Sequence, residues 1–248
     1  MSTIYILWLR QLKRHFRSKA RLIGSLGQPL LFLLALGFGF GPIYQKAGGG
    51  DYIQFLAPGI IAMSILFTAM FSGIEIIWDR QFGFLKETLV APISRFNIML
   101  GRTLGGATVA VIQGLIVLII SLMVGFKLEN LSLLPLLFVF MFLIAFLFTA
   151  LGTAIASVLE DMQGFQLIMN FLVMPLFFLS GALFPIQVLP KALVTVATIN
   201  PLAYGVDGLR AALMNGAYFG MPMDFLVLGS SAIILTIIGG YLFSKIQI

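Results

Sequence analysis

Six apolar runs punctuate the chain, at about residues 22–41, 55–77, 103–126, 133–158, 165–184 and 223–244. Each approaches the roughly 20 consecutive apolar residues that one helical crossing of a bilayer needs. The pattern predicts an all-α integral membrane protein with six transmembrane helices, and an even number of crossings leaves both termini on one side.

Two of the intervening stretches do not read as simple loops. At 100° per residue over residues 4–21, Tyr5, Trp8, Leu9, Leu12 and Phe16 fall in one arc, and Arg10, Lys13, Arg14, Arg17 and Arg21 in another roughly opposite. That division predicts an amphipathic helix over residues 1–21 lying in the interface, with its basic side toward anionic headgroups. Residues 185–222 are too apolar for a free loop, and Pro185, Pro190, Pro201 and Pro222 interrupt them too often for a span. A crossing over residues 192–209 would bury Asn200 and Asp207 and move the C-terminus to the other side. Short helices dipping back into the outer leaflet fit better, a re-entrant segment between the fifth and sixth spans. The GGG at 48–50 reads as a flexible external turn.

The most polar stretch between two runs is DRQFGFLKETLVAPISR, residues 79–95. On a helical wheel Phe82, Leu85 and Leu89 share a stripe, while Asp79, Arg80, Gly83, Lys86 and Glu87 occupy the other side. Phe84 projects off the stripe. Pro92 ends the helix, having no N–H and disfavouring helical geometry at Ala91. The expectation is a short helix parallel to the membrane that offers one aromatic ring to a partner groove.

Composition then restricts the chemistry. Hydrophobic residues make up 60% and charged residues 10% of the chain, against roughly 45–50% and 25% in soluble proteins, so lipid is the main solvent. Eleven of the fifteen Lys and Arg lie before the first span, between the second and third, or at the C-terminus, with only Lys46, Lys127, Lys191 and Arg210 on the opposite face. By the positive-inside rule the basic face, with both termini, is cytoplasmic. The net charge of +6 records that bias and implies no nucleic-acid partner. A basic stretch reaching residue 21 is long for a signal-peptide n-region and no cleavage pattern follows, so the first span is read as retained. There is no cysteine, and the one histidine, His15, lies among basic residues and is read as facing headgroups. Neither a metal site nor an activated nucleophile can be assembled within the spans, which excludes an intramembrane hydrolase.

Polar residues inside or beside the spans are few. Glu75, one turn from the cytoplasmic end of the second span, either reaches the interface or serves in gating or pairing. Gln28, Gln113 and Asn170 suit interhelical hydrogen bonds, and Gly101, Gly105, Gly239 and Gly240 permit close helix approach. Asp207 and Arg210, three apart, are expected to pair on one helix face, with an exit gate as the sharper alternative.

The run DRQFGFLKETLVAPISR, with FLAPGIIAMSILFTAMFSG in the second span and LFPIQVLPKAL followed by NPLAYGVDGLR, resembles the permeases of type-2 ABC exporters. The likeness extends over nearly the whole chain, residues 1–248 reading as one transmembrane permease domain. It implies a subunit without catalytic residues or cofactor, energised by a separate ATP-binding subunit in two copies that holds ATP and Mg. No G-x-x-x-x-G-K-[ST] loop occurs in this chain. A second permease copy, identical or paralogous, would complete the pore in the cytoplasmic membrane among its lipids. Residues 79–95 (Asp79, Arg80, Phe82, Gly83, Phe84, Leu85, Lys86, Glu87, Pro92 and Arg95) would meet the ATPase, and the interfacial helix (Trp8, Arg10, Lys13, Arg14, Phe16, Arg17) would move with them. Twenty-four Phe against two Trp and six Tyr favour an amphipathic drug- or lipid-like cargo, and the second span and its loop look most like drug-export members. Polysaccharide or glycolipid export is the alternative, and outside transport a channel or membrane scaffold without ATP coupling.

Overall fold

The computed structural model describes residues 3–46, 48, 50–90, 92–214 and 216–246, and among them every regular element is helical. α1 (Thr3–Arg17) and α2 (Lys19–Lys46) are parted only by Ser18. α3 (Tyr52–Phe71) and α4 (Ile74–Gln81) continue one another as a single apolar stretch, followed by the short α5 (Phe84–Val90) and the long α6 (Arg95–Val124). α7 (Leu134–Val158), α8 (Met162–Phe178), α9 (Lys191–Ile199), α10 (Pro201–Met214) and α11 (Met221–Ser244) complete the chain. Gly49 of the glycine turn, Ala91 before Pro92 and the side chain of Arg21 lie outside the described residues.

Local chemistry sets the helix ends. Asp51 and Asp161 cap α3 and α8 by accepting the N–H of Ile53 and Gly164, which satisfies donors that a first turn otherwise leaves without partners. α6 stops at Gly125, whose φ of +119° is left-handed. α8 ends at Phe178, short of the expected 184, where the Ser180 hydroxyl donates back to the Phe177 carbonyl at 2.7 Å and Gly181 takes a positive φ.

Tertiary hydrogen bonds gather the connections at two ends. At the near end, beside α1, Arg80 donates to the carbonyls of Ser157 and Leu159 and Arg95 to those of Ser244 and Ile246. At the far end the Tyr52 hydroxyl donates to Leu183 O, Gln54 to Gly125 O, and the Glu129 N–H to Leu213 O. Traced between these ends the chain crosses six times. Five crossings are long and apolar on length and composition, whereas α8 has 17 residues, about 25 Å of helix, and the turn at 179–184 completes it. α9 and α10 meet at 88°. Ile186, just before α9, lies against Gly181, and Leu213 near the end of α10 bonds the far-end loop. Both ends of this pair are therefore at the far end, and it is re-entrant.

α3 is the central helix, buried along most of its length against α2, α6, α7 and α10. α2, α8 and α11 carry rows of exposed apolar side chains, Leu31, Phe38, Phe171, Ile234 and Ile237 among them. Lipid tails solvate such faces at no cost, so helix association here rests on close packing rather than on expulsion of water.

Candidate functional site

The near end holds the densest charge among the described residues. Glu75 and Asp79 are four apart on α4 and share its buried face; Arg10 and Arg14 are four apart on the neighbouring α1. Asp79 is the hub. Its Oδ2 accepts from Arg102 of α6 at 2.5 Å, with both side chains 4% exposed, and its Oδ1 accepts from Arg14 at 3.3 Å and Arg10 at 3.5 Å. Arg14 also reaches Glu75 at 3.5 Å and lies over the Trp78 ring at 5.5 Å. Asp79 is thus turned inward, not toward water as the wheel suggests. Three guanidiniums compensate its burial.

α1 comes this close because α6 presents glycine to it. A Cβ on Gly105 would stand 2.6 Å from the Gln11 Cβ, and one on Gly101 would meet Leu7 and the Ile4 carbonyl at 3.0 Å. Trp8, expected in the acyl boundary, is half-buried in protein, its Nε1 donating to Thr108 Oγ1 at 3.0 Å. His15 corrects a further expectation: it is 6% exposed, because the stripe Leu7, Gln11, His15 faces the bundle. Lys13, Phe16 and Arg17 remain exposed.

Residues 79–95 do not form one continuous helix. Asp79 and Arg80 end α4, Phe82 and Gly83 break the chain at a left-handed glycine with φ +81°, and α5 begins at Phe84. The break redirects every side chain after it. Phe82, assigned to the apolar stripe, is 71% exposed, Phe84 is 52% exposed, and Leu85 alone is fully buried. Lys86, Glu87 and Pro92 are exposed around them. Two arginines fasten the segment. Arg80 donates to Ser157 O at 3.1 Å and Leu159 O at 3.2 Å, where α7 ends, and Arg95 to Ser244 O at 2.7 Å and Ile246 O at 2.9 Å, where α11 ends. A cation at a helix C-terminus meets both the carbonyls without helical partners and the negative end of the dipole.

At the far end the expected Asp207–Arg210 pair is replaced by two separate sets of bonds to backbone. Asp207 accepts the N–H groups of Tyr218 at 2.7 Å and Phe219 at 2.7 Å, pinning the turn before α11. Arg210 donates to Gly181 O at 2.8 Å and lies 4.0 Å over the Phe55 ring. The two line one pocket, but each is turned to backbone and they make no direct ion pair. Asp224, in the first turn of α11, is inconspicuous within the sixth apolar run; it is fully buried.

Arg102 likewise shows in the sequence only as one positive charge among eleven. The signal available was the pair of matched spacings, acids at 75 and 79 and arginines at 10 and 14. Between α1, the first half of α2, α3, α4 and α6 lies a cavity of about 350 Å³ lined in part by His15, Gln28, Glu75 and Trp78.

The ABC-2 type transporter family profile matches residues 2–214. A protein of Cyanophora paradoxa named as transport permease ycf38 is 30% identical, over 98% of this chain and 88% of its own length. Nodulation protein J of Rhizobium leguminosarum bv. trifolii is 30% identical over 85% of this chain and 78% of its own, and the ycf38 permease of Pyropia yezoensis 31% over 79% and 68%. With six crossings, a re-entrant pair and these relatives along most of its length, the chain belongs to the ABC-2 type transporter family.

Proposed function

We propose that this chain is the permease subunit of an ATP-driven exporter that carries an amphipathic, lipid-like cargo across the cytoplasmic membrane, with its near end in the cytoplasm. The reading rests above all on one observation: the near-end shelf exposes Phe82 and Phe84 while Arg80 and Arg95 bind it to the ends of α7 and α11. Aromatic rings held on a rigid, charged shelf suit insertion into a partner groove. The partner is an ATP-binding subunit in two copies, which holds ATP and Mg, and a second permease copy completes the pore. The Lys and Arg bias supports the orientation.

In this scheme closure of the ATP-binding subunits displaces α5. The two arginines carry that displacement into α7 and α11, and the Asp79 cluster carries it into α1 and α6. The test is reconstitution of the permease with its ATP-binding subunit in vesicles. Phe84→Ala, or Glu87→Lys, is expected to lower transport about tenfold, equivalent to some 1.4 kcal/mol of lost coupling, while the protein inserts normally and ATP turnover persists. Unchanged transport per ATP in both variants would refute the scheme.

A further inference from the structure

One face of α10 borders a cavity at the far end. Ala203, Asp207, Arg210 and Met214 follow one another at helical spacing along its wall, and Phe55 of α3, Gln187 and the turn at 216–218 complete it, enclosing about 220 Å³. Sites that enclose a whole small molecule run to roughly 300–1,000 Å³. This one suits a group of a few heavy atoms attached to something that stays outside.

The two charges in it are held apart. Opposite charges three apart on a helix can pair, yet Asp207 and Arg210 are each fixed to backbone instead. Asp207 is 4% exposed. Its Oδ1 accepts the Tyr218 N–H, which it shares with Oδ2, and Oδ2 also accepts that of Phe219, so the roughly four acceptor sites of a carboxylate are not all filled. Arg210 uses only Nη2, which reaches the carbonyls of Phe55, Gly181 and Ala182. Its Nε is buried and has no hydrogen-bond partner, a condition that native interiors rarely leave unanswered. Each ion retains bonding capacity, and neither neutralises the other by contact.

That charge pattern selects an occupant. An anion alone would meet Asp207, a cation alone would meet Arg210, and a neutral group would leave both ions dehydrated and uncompensated. A short zwitterion answers both, its oxyanion taking charge-assisted hydrogen bonds from the guanidinium and its ammonium giving one to the carboxylate. Because backbone already fixes the two ions, little ordering remains to oppose binding. The ammonium has to be primary, since a trimethylammonium has no N–H to give. The surroundings place the cavity among headgroups: Tyr218 in its wall and Phe184 and Val188 beside Ile186 and Gln187 are exposed, an apolar and aromatic rim of the kind found at a membrane–water boundary.

We propose that the far-end cavity holds the aminoethyl phosphate head of a phospholipid from the adjoining leaflet, with the phosphate on Arg210 and the primary ammonium on Asp207. This site is independent of the exporter reading, and no ATP-binding subunit enters its test. The full-length permease in phosphatidylcholine nanodiscs is titrated calorimetrically with glycerophosphoethanolamine, glycerophosphocholine, glycerophosphate and ethanolamine. Glycerophosphoethanolamine is expected to saturate, and the other three to need at least about tenfold more. No saturation, or equal saturation by any of the three, overturns the proposal. Arg210→Gln is expected to raise the half-saturation about tenfold. Should that variant not fold, Ala217→Trp at the exposed rim fills the mouth and is expected to abolish binding. Unchanged binding in the folded variant overturns the proposal. Nanodiscs of increasing phosphatidylethanolamine content then test the source. A half-saturation that rises with that content shows the lipid head competing for the site, whereas an unchanged one overturns the lipid assignment in favour of the same zwitterion free in water.

Discussion

Asp79 holds together more of the near end than any other side chain. A carboxylate 4% exposed survives in the interior only if its charge is met, and the contact with Arg102 is the dry part of that compensation. Arg10 and Arg14, 41% and 28% exposed, complete it from the wet side. Removing one member of a buried pair costs about 3–5 kcal/mol, whereas replacing both by apolar groups of like volume is often neutral. Asp79→Leu or Arg102→Met alone is therefore expected to lower the unfolding midpoint in detergent sharply, and the double variant to recover most of the loss. A double variant as unstable as the sum of the singles would show that the two side chains do not depend on one another. The sequence made each charge visible but not its partner. Asp79 reads as exposed because its wheel neighbours are polar, and Glu75 as either interfacial or paired; only the path of α1 along α6 makes that face an interior.

At the level of elements, apolar runs and caps locate the spans, since lipid solvation leaves little freedom in where a crossing helix sits. The exceptions are local. Gly83 looks like any residue on a wheel, yet its left-handed backbone, which would cost another residue about 1–2 kcal/mol, splits the expected coupling helix and turns Phe82 outward. Glycine was a better guide on α6, where close approach at Gly101 and Gly105 was legible although the partner helix was not. Gly105→Leu is expected to displace α1, because its side chain would occupy the space of Gln11. Limited trypsin digestion then cuts at Arg10, Lys13 and Arg14 before any other site, while the wild-type helix resists. Equal cutting in both proteins would mean that α1 is not held by this seam.

The architecture of the whole molecule followed from periodicity, and the re-entrant pair from its prolines and the cost of burying Asn200 and Asp207 in a seventh crossing. The far-end bonding of Asp207 and Arg210 did not follow, because each binds backbone remote in sequence. The orientation is directly testable in a chain without cysteine. Single replacements Lys86→Cys and Lys127→Cys are expected to behave oppositely toward an impermeant maleimide added to intact cells, Lys127→Cys reacting and Lys86→Cys protected until the membrane is opened. Labelling of Lys86→Cys from outside would invert the protein and remove its shelf from any ATPase.

The uneven grip on α2 has a mechanical corollary. A rod held at its far end by Tyr44, stacked on Phe55 and tilted against Tyr52, and joined at its base through the lone Ser18 can pivot more easily than it can slide. Any swing opens a wedge whose mouth is widest at the near end and closes to nothing beside those rings. Such a doorway opens beside the near-end loops and stays shut beside the re-entrant pair.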